Sequence, residues 1–386
     1  MRILIFGHGR THTGYGRVLN TLAEKFQTWA EVIHFAVDIY AQSGIDLAAH
    51  QVPNNLLGDL YGKQQLPRLL EETRPDLFLL LHDHCVGKLL APILNQHRSH
   101  HPTFQWWSYV PIEWPETPQA HLDWLRNADG VVAFCDFGKS VIVNSLPDIT
   151  HKTHIIGHGV DLDVFGPPAE SRVVLRKRWF GHDRCRFAVL NANRHVPRKR
   201  LILTLEIFAR FVKNKEDAYL VMHPGTSQRH DDLREAARTL QISDRVIWIE
   251  EPFLEQTSLN QVYACCDVGM NTSTGEGWGL VAFEHAASGG VQLQPNHSAC
   301  SELWREHGLL MPLREDDEID LETAACLLES LYESPELRTD FANRGMAYVQ
   351  QSRFNWHEIG TQWKDAFYST PSLGGGLGIV PGLPSR

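Results

Sequence analysis

Two glutamates stand eight positions apart in a glycine-rich segment that reads STGEGWGLVAFEHAASGG over residues 273–290. An apolar run precedes the segment, and a helical pattern begins near Leu280. Amides at a helix start carry partial positive charge and glycines allow close backbone approach, so this arrangement favours a diphosphate. The carboxylates of Glu276 and Glu284 accept hydrogen bonds from hydroxyls, which a sugar nucleotide offers on both its sugar and its ribose. The alternative is a solvated helix charge beside an ordinary loop acid.

A basic cluster lies earlier in the same half of the chain, where residues 193–201 read NRHVPRKRL. The chain holds 46 acidic and 36 basic residues, so this cluster stands out against an acidic background. Two phosphates need cationic partners, which the cluster supplies. A solvated basic turn is the alternative.

Polar residues also follow the predicted strands of the first half. The sequence HDH at 82–84 offers two imidazoles, as in some metal sites, but no third and fourth ligand are evident nearby, so lining of a cleft is favoured. Glu113 follows the next strand and is either a base or a salt-bridged loop residue. The aromatic residues at 106, 107 and 109, together with Trp114, form either a sugar-stacking platform or part of the core.

Short apolar runs alternate with amphipathic stretches along the chain, a pattern typical of parallel α/β sheets. Strands are predicted at residues 2–6, 31–37, 76–81, 104–110 and 130–134, and again at 186–191, 218–223, 246–249, 267–270 and 290–293. The double proline at 167–168 resists helix and central strand and marks a boundary. We predict one α/β domain over 1–165 and another over 166–354, a helix over 355–370, and a flexible tail over 371–386.

Composition narrows the class of protein. The net charge of −10 argues against a nucleic-acid partner, because phosphate-backbone binders carry a basic surface. The seven cysteines are scattered without a C-x-x-C pair, which favours a reducing compartment. The apolar run after Met1 is too short for a membrane span or a signal-peptide core. A cytoplasmic protein without an integral membrane segment is therefore predicted.

With these motifs, the chain resembles the retaining glycosyltransferases of family 4, which have the GT-B fold of two Rossmann-like domains facing across a cleft. The family signature is two glutamates separated by seven residues, and Glu276 and Glu284 have that spacing. The letters EGWGL at 276–280 are close to the family's usual EGFGL. The segment HGVD at 158–161 resembles the family's interdomain connection.

The resemblance implies roles for these residues. The first glutamate contacts the donor sugar and the second the ribose, while Arg194 and Lys199 bind the diphosphate and stabilise the leaving group. Arg198 or Arg200 also fits either cationic role. The loop THTGYGR at 11–17 corresponds to a glycine loop against the donor phosphate, and a plain tight turn is the alternative. The remaining donor-site candidates are Gly14, Gly16, Gly277, Trp278, Gly279 and Leu280. The terminal helix is expected to cross back onto the first domain.

The chain departs from the family at three places. Many members have a histidine at the reaction centre, whereas this chain offers Glu113 as the nearest polar residue. Cys135 stands where serine is frequent, and MHPG at 222–225 replaces a glycine-rich strand end. The nucleobase and the sugar are therefore not predicted.

The sequence thus predicts an enzyme that transfers a sugar, a hexose by family resemblance, from a nucleotide diphosphate sugar to a hydroxyl of a carbohydrate, lipid-linked or other acceptor. Family resemblance implies retention of anomeric configuration, with no metal and no cofactor beyond the donor. The alternatives are a non-catalytic sugar-nucleotide sensor and an epimerase or phosphorylase of the same fold. A dehydrogenase is disfavoured because the first loop lacks a full G-x-G-x-x-G. The oligomeric state is not predicted.

Overall fold

The first sheet is built from strands that alternate with helices. The computed structural model of the chain describes residues 1–10, 13–41, 48–225 and 230–369. The strands are β1 Arg2–Gly7, β2 Glu31–Tyr40, β3 Gln51–Asn54, β4 Leu77–Leu80, β5 Gln105–Val110, β6 Gly130–Ala133 and β7 Thr153–Ile155. The helices are α1 Gly14–Phe26, α2 Leu66–Thr73, α3 His84–His100, α4 Gln119–Leu122 and α5 Asp136–Ser145. All strand pairs are parallel, in the order β3-β2-β1-β4-β5-β6-β7.

The second half of the chain repeats this architecture. Its strands are β8 Phe187–Asn191, β9 Ala218–Met222, β10 Val246–Trp248, β11 Val268–Met270, β12 Val291–Pro295 and β13 Leu309–Met311. Its helices are α6 Arg172–Phe180, α7 Leu201–Phe211, α8 Asp231–Thr239, α9 Gln256–Ala264, α10 Leu280–Ala287, α11 Ser298–Trp304, α12 Leu321–Glu333, α13 Pro335–Val349 and α14 Trp356–Tyr368. The strands pair in parallel in the order β10-β9-β8-β11-β12-β13. The predicted class, two Rossmann-like α/β domains, is confirmed.

The ten predicted strands are present, and three further strands, β3, β7 and β13, complete the sheets. All three lie at a sheet edge, where a strand pairs on one side only and a short apolar run suffices. β3 even contains Pro53, which a central strand would not tolerate because proline has no amide donor. The sequence analysis missed these three strands because the apolar runs of edge strands are short.

Alternation along the central strand β1 places side chains on both faces of the first sheet. Ile3 and Ile5 pack into one buried cluster, while Leu4 and Phe6 pack into another. The first of these clusters continues without a break into the second domain, where it includes Trp278. The two domains are therefore joined by a shared core beside the cleft described below.

Helix α14 returns from the second half to contact the first. The Asn355 side chain accepts a hydrogen bond from the amide of His357 at 2.7 Å, which caps the helix. The rings of Trp363 and Phe367 lie 6.2 and 5.7 Å from that of Phe26 in α1.

The predicted domain boundaries at 165 and 354 stay predictions, and the predicted tail at 371–386 lies outside the described residues. Within the described ranges, no helix combines the length and apolar character needed to span a membrane.

Candidate active site

A cleft of about 1210 Å³ lies between the two domains. The carboxyl ends of parallel strands from both sheets open onto it, which is where ligands bind in this class of fold. The first domain contributes His8, Gly14, Tyr15, Arg17, His82, Asp83, His84, Glu113 and Trp114. The second contributes Arg194, Arg198, Lys199, His223, Tyr263, Glu276, Gly277, Trp278, Gly279 and Leu280.

Four charged side chains meet across the cleft and are called the cleft cluster here: Glu113, Arg198, Lys199 and Glu276. Arg198 Nη2 lies 2.7 Å from Glu113 Oε1, and its Nη1 lies 3.1 Å from Glu276 Oε2. Lys199 Nζ contacts the other oxygen of Glu276. Because Glu113 belongs to the first domain and the other three to the second, Arg198 bridges the two domains.

The two carboxylates of the cleft cluster have opposite protonation behaviour. Burial raises the pKa of Glu113 to about 7, with Arg198 opposing this effect and Glu276 adding to it. Burial also acts to raise the pKa of Glu276, but Lys199 and Arg198 outweigh it and lower the pKa to about 2. Glu276 therefore remains ionised near neutral pH, whereas Glu113 is placed to exchange a proton.

Glu284, the second glutamate of the motif, lies behind a covering layer. Arg17 Nη1 of the first domain is 2.6 Å from its Oε1, and the hydroxyl of Tyr263 donates to its Oε2 at 3.2 Å. Arg17 and Tyr263 line the cleft and Glu284 does not. Burial raises the pKa of Glu284, against the effect of Arg17. The structure thus places the two glutamates at different depths, and Arg17 separates one of them from the cleft.

The glycines of the motif make room for the opposite domain. A Cβ atom on Gly275 would lie 2.3 Å from the carbonyl oxygen of Glu113, and one on Gly277 would lie 3.2 Å from that of Ile112. Gly279 has φ +94° at the start of α10, a conformation that favours glycine. Close contact with the first domain is the reason for glycine at positions 275 and 277. The left-handed backbone at the start of α10 is the reason for glycine at position 279.

Trp278 anchors the motif to the connection between the domains. Its ring stacks on Phe283 at 4.8 Å and meets His158 edge-on at 5.4 Å. A Cβ on Gly157 would lie 2.6 Å from the indole. The structural role predicted for the HGVD connection agrees with this packing. The indole Nε1, although buried, has no hydrogen-bond partner.

The N-terminal glycine loop approaches the second domain at one point. A Cβ on Gly14 would lie 3.6 Å from Leu280 Cδ1, at the start of α10. Gly16 instead faces its own loop, because a Cβ there would lie 1.9 Å from the Arg10 carbonyl oxygen. Its amide donates to Thr13 Oγ1 at 3.0 Å. The tight-turn alternative therefore explains Gly16, while Gly14 lines the cleft. Thr11 and His12 of this loop lie outside the described residues.

The HDH segment at 82–84 lines the cleft. The Tyr15 hydroxyl donates to Asp83 Oδ1 at 2.9 Å. Burial, with a contribution from His8, lowers the pKa of His82 to about 4. His84 Nδ1 is buried without a partner, and burial lowers the pKa of this ring. Both imidazoles are therefore neutral at physiological pH.

The basic cluster divides between the cleft and the surface. Arg198 and Lys199 reach the centre of the cleft, whereas Arg194 lies exposed at its mouth. Arg200 turns away with φ +51° and pairs with Glu318. The structure therefore brings Lys199 to the motif as predicted, and places Arg198, named in the sequence analysis as an alternative, deeper than Arg194.

The aromatic-platform interpretation is wrong for most of its residues. Trp106, Trp107 and Tyr109 are fully buried and belong to the core, as the alternative stated. Trp114 alone of the proposed set is exposed, at 44%, and lines the cleft. The sequence of β5 does not alternate between apolar and polar residues, because every residue of this central strand is buried. The sequence pattern therefore could not separate core residues from cleft residues.

Two further cleft residues were missed as functional candidates. Arg17 follows the glycine loop, but its partner Glu284 lies in the other domain and no local pattern links them. His223 directly follows β9 and is 7% exposed, and its Nδ1 has no hydrogen-bond partner. The sequence MHPG at 222–225, which replaces the family's glycine-rich strand end, could have drawn attention to His223.

A second carboxylate contact joins the domains outside the cleft. Helix α5 begins after Cys135, whose side chain makes no capping hydrogen bond. Glu302 of the second domain instead accepts hydrogen bonds from the amides of Asp136 and Phe137, at 3.1 and 2.5 Å. A helix of the first domain is thus capped by the second domain.

Comparisons with known proteins agree with this architecture. The family described as glycosyl transferases group 1 matches residues 180–347, which contain the basic cluster and both glutamates. HepE of Anabaena, solved with UDP-glucose, is similar at TM-score 0.76 and 18% identity, covering 96% of this chain and 100% of its own. Sucrose-phosphate synthase of Thermosynechococcus elongatus has TM-score 0.76 and 18% identity, with 96% and 98% covered. No curated protein matches the sequence.

WaaG, a glycosyltransferase involved in lipopolysaccharide biosynthesis, is similar at TM-score 0.69 and 12% identity, covering 96% of this chain and 100% of its own. At these identities the solved structures establish the fold, and the family match covers the domain that holds the motif. Residues 180–347 therefore match the glycosyl transferases group 1, and the chain as a whole has the GT-B fold of these solved structures.

Proposed function

We propose that the chain transfers a hexosyl group from a UDP-sugar to an acceptor hydroxyl, with retention of configuration and without a metal in donor binding. The observation that carries the proposal is the cleft cluster, which places two cations and two carboxylates of different pKa at the meeting point of the domains. The choice of UDP rests on HepE, which has been solved with UDP-glucose and with UDP.

The cations of the cluster would hold the donor diphosphate. Lys199 and Arg198 lie beside the glycine motif and the start of α10, and Arg194 adds a third positive charge at the mouth of the cleft. Charge grows on the diphosphate as it departs, so fixed cations there stabilise the transition state more than the ground state. These residues can perform the neutralisation that a divalent cation performs in other transferases.

Glu276 and Glu284 would accept hydrogen bonds from the hydroxyl groups of the donor. Glu276 borders the cleft and accepts hydrogen bonds from the sugar, while Glu284 accepts from the ribose. Because Arg17 covers Glu284, the ribose would reach this carboxylate by displacing Arg17 or by sharing its oxygen. Gly14, Gly277, Trp278, Gly279 and Leu280 would form the walls of the donor site, and Gly16 would shape the loop.

Glu113 would act on the acceptor. With a pKa of about 7 it can take the proton of the attacking hydroxyl as the bond from the anomeric carbon to the diphosphate oxygen breaks. The new bond forms from the anomeric carbon to the acceptor oxygen on the face that the diphosphate leaves. Configuration is then retained without a covalent bond to the protein.

A binding and turnover screen tests the proposal. Thermal shifts and diphosphate release are measured with UDP-, GDP- and ADP-sugars, with and without EDTA, on the wild type, Glu276→Ala and Arg198→Ala. Arg178→Ala is the matched control, because Arg178 pairs with Glu170 on the surface of the same domain. UDP-sugar stabilisation and turnover that resist EDTA and are lost only in the two cleft variants support the proposal.

The other outcomes are equally decisive. Binding without turnover across varied acceptors favours the non-catalytic sensor, and preference for GDP or ADP overturns the choice of UDP. Loss of turnover in EDTA, with recovery on adding Mg²⁺, overturns the metal-free mechanism. The anomeric configuration of the product, read by NMR, decides between retention and inversion.

A further inference from the structure

Three metal-binding side chains converge where helices α2 and α3 lie side by side in the first domain. Glu71 belongs to α2, His97 to the last turn of α3, and His101 follows that helix. His97 Nδ1 lies 3.2 Å from Glu71 Oε1, and His101 Nε2 lies 3.4 Å from the same oxygen. Among the described residues, this is the one group of three such side chains whose ligand atoms all lie within 4.8 Å of one another.

The spacing of these atoms matches a coordination shell. In a tetrahedral zinc site with bonds of about 2.0–2.2 Å, neighbouring ligand atoms are roughly 3.3 Å apart. The two distances that meet at Glu71 Oε1 have this length. His97 and His101 are four positions apart, which brings their rings to one side of a helix end, with centroids at 4.3 Å.

The surroundings favour a bound cation. His97 is 6% exposed and packs edge-on against Phe104 at 4.8 Å, so its ring is held in place before any ion arrives. The last turn of α3 also presents the negative end of its helix dipole. The nearby Arg98 is paired with Asp129 at 2.9 Å.

We propose that Glu71, His97 and His101 form a zinc site that ties α2 to α3. Three protein ligands leave the fourth position to water, so the ion remains exchangeable. The site is separate from donor chemistry, because His84, at the cleft end of α3, lies roughly 20 Å along the helix from His97. The proposal therefore does not depend on the nucleotide or on the transfer reaction.

Metal titration of the untagged full-length chain tests the site. After treatment with EDTA and buffer exchange, the protein is titrated with ZnCl₂ by calorimetry, and with Co²⁺ while the visible absorption of tetrahedral Co²⁺ is followed. One equivalent is expected, together with a rise in the thermal midpoint. Glu71→Gln removes an exposed ligand and His101→Ala a half-buried one, and each should weaken Zn²⁺ binding at least about tenfold.

His100→Ala is the matched control. It removes an exposed histidine from the same helix end that lies outside the triad, and it should leave stoichiometry, affinity and the Co²⁺ spectrum unchanged. Circular dichroism without metal confirms that the variants fold. Absence of a Zn²⁺ equivalent in the wild type overturns the proposal. Equal affinity in all variants also overturns it, because the ion then binds elsewhere, for example at the cleft histidines.

Discussion

Two clusters that pair carboxylates with cations occupy different places in the molecule. One is the cleft cluster. The other, called the Asp267 cluster here, joins Asp267 at the start of β11 to two arginines of α6: Arg176 Nη2 lies 2.6 Å from Oδ2, and Arg172 Nη1 lies 2.7 Å from Oδ1. The Ala188 amide donates to the same carboxylate at 2.7 Å.

The difference lies in what surrounds each cluster. In the Asp267 cluster the remaining donors of Arg176 end on carbonyl oxygens of Cys265, Cys185 and Arg186, at 2.8 to 3.2 Å, all within one domain. The cleft cluster spans two domains, borders open space and combines carboxylates of opposite pKa shift. Ion pairs whose partners are all protein hold a fold together, whereas ion pairs at an open boundary can exchange a protein partner for a ligand.

Removing the acid of the Asp267 cluster should produce the largest effect on stability. Asp267→Asn leaves the buried Arg176 without its counter-charge, and we expect a loss of about 3–5 kcal/mol in the free energy of unfolding, measured by urea denaturation. Asp316→Asn, at an exposed pair with Arg314, should cost far less, because solvent screens that pair. Equal losses at the two positions would contradict the structural assignment of Asp267.

The matching change in the cleft cluster should act on turnover. Glu276→Gln should lower kcat roughly 100- to 1000-fold, as the loss of one preorganised polar group does in other enzymes. Its cost in stability should be smaller than at Asp267, because Lys199 and Arg198 line the open cleft, where water can reach the charges left behind. Diphosphate release measures the first effect and urea denaturation the second. Glu318→Gln, next to the basic cluster but paired with Arg200, should retain full activity.

The pH dependence of stability should distinguish the two carboxylates of the cleft cluster. The folded pKa of Glu276 is about 2, below its ordinary 4.5, so its contribution is present above 4.5 and is lost as pH falls toward 2. The folded pKa of Glu113 is about 7, above 4.5, so its contribution is present below 4.5 and is lost as pH rises through 7. Each slope is at most about 1.4 kcal/mol per pH unit.

Glu113→Gln isolates the second of these effects. Denaturation of the wild type and the variant between about pH 4.5 and pH 8 should show a stability difference that changes across the window set by the pKa of Glu113. Parallel curves would mean that Glu113 is ionised throughout, and would remove it as a candidate base.

The smallest effect is expected at the contact between Glu302 and helix α5. Glu302→Ala removes the cap from the amides of Asp136 and Phe137 and should cost about 1 kcal/mol. Cys135→Ser should recover most of this loss in the double variant, because serine at the N-cap supplies a local acceptor. Thermal denaturation of the four proteins of the cycle measures the coupling. Strict additivity would show that Cys135 and Glu302 do not share this function.

The fold was predictable because both sheets follow local rules. Buried central strands produce apolar runs, and the N-cap of α14 is visible from Asn355 onward. The motif residues were likewise found by spacing, because Glu276 and Glu284 lie on one loop and its helix. Their partners were harder to identify. The contacts of Arg17 with Glu284 and of Glu113 with Arg198 form only where the two domains meet, and no short-range pattern encodes them.

The glycine contact at the cleft also limits how such enzymes recombine. A Cβ on Gly275 would lie 2.3 Å from a backbone oxygen of the first domain, and backbone cannot change rotamer to relieve the overlap. A chimaera that joins this first domain to a second domain with alanine at that position would have to open its cleft. The two halves are therefore fitted to each other at this contact, and a first domain of this shape requires a second domain with glycine at that position.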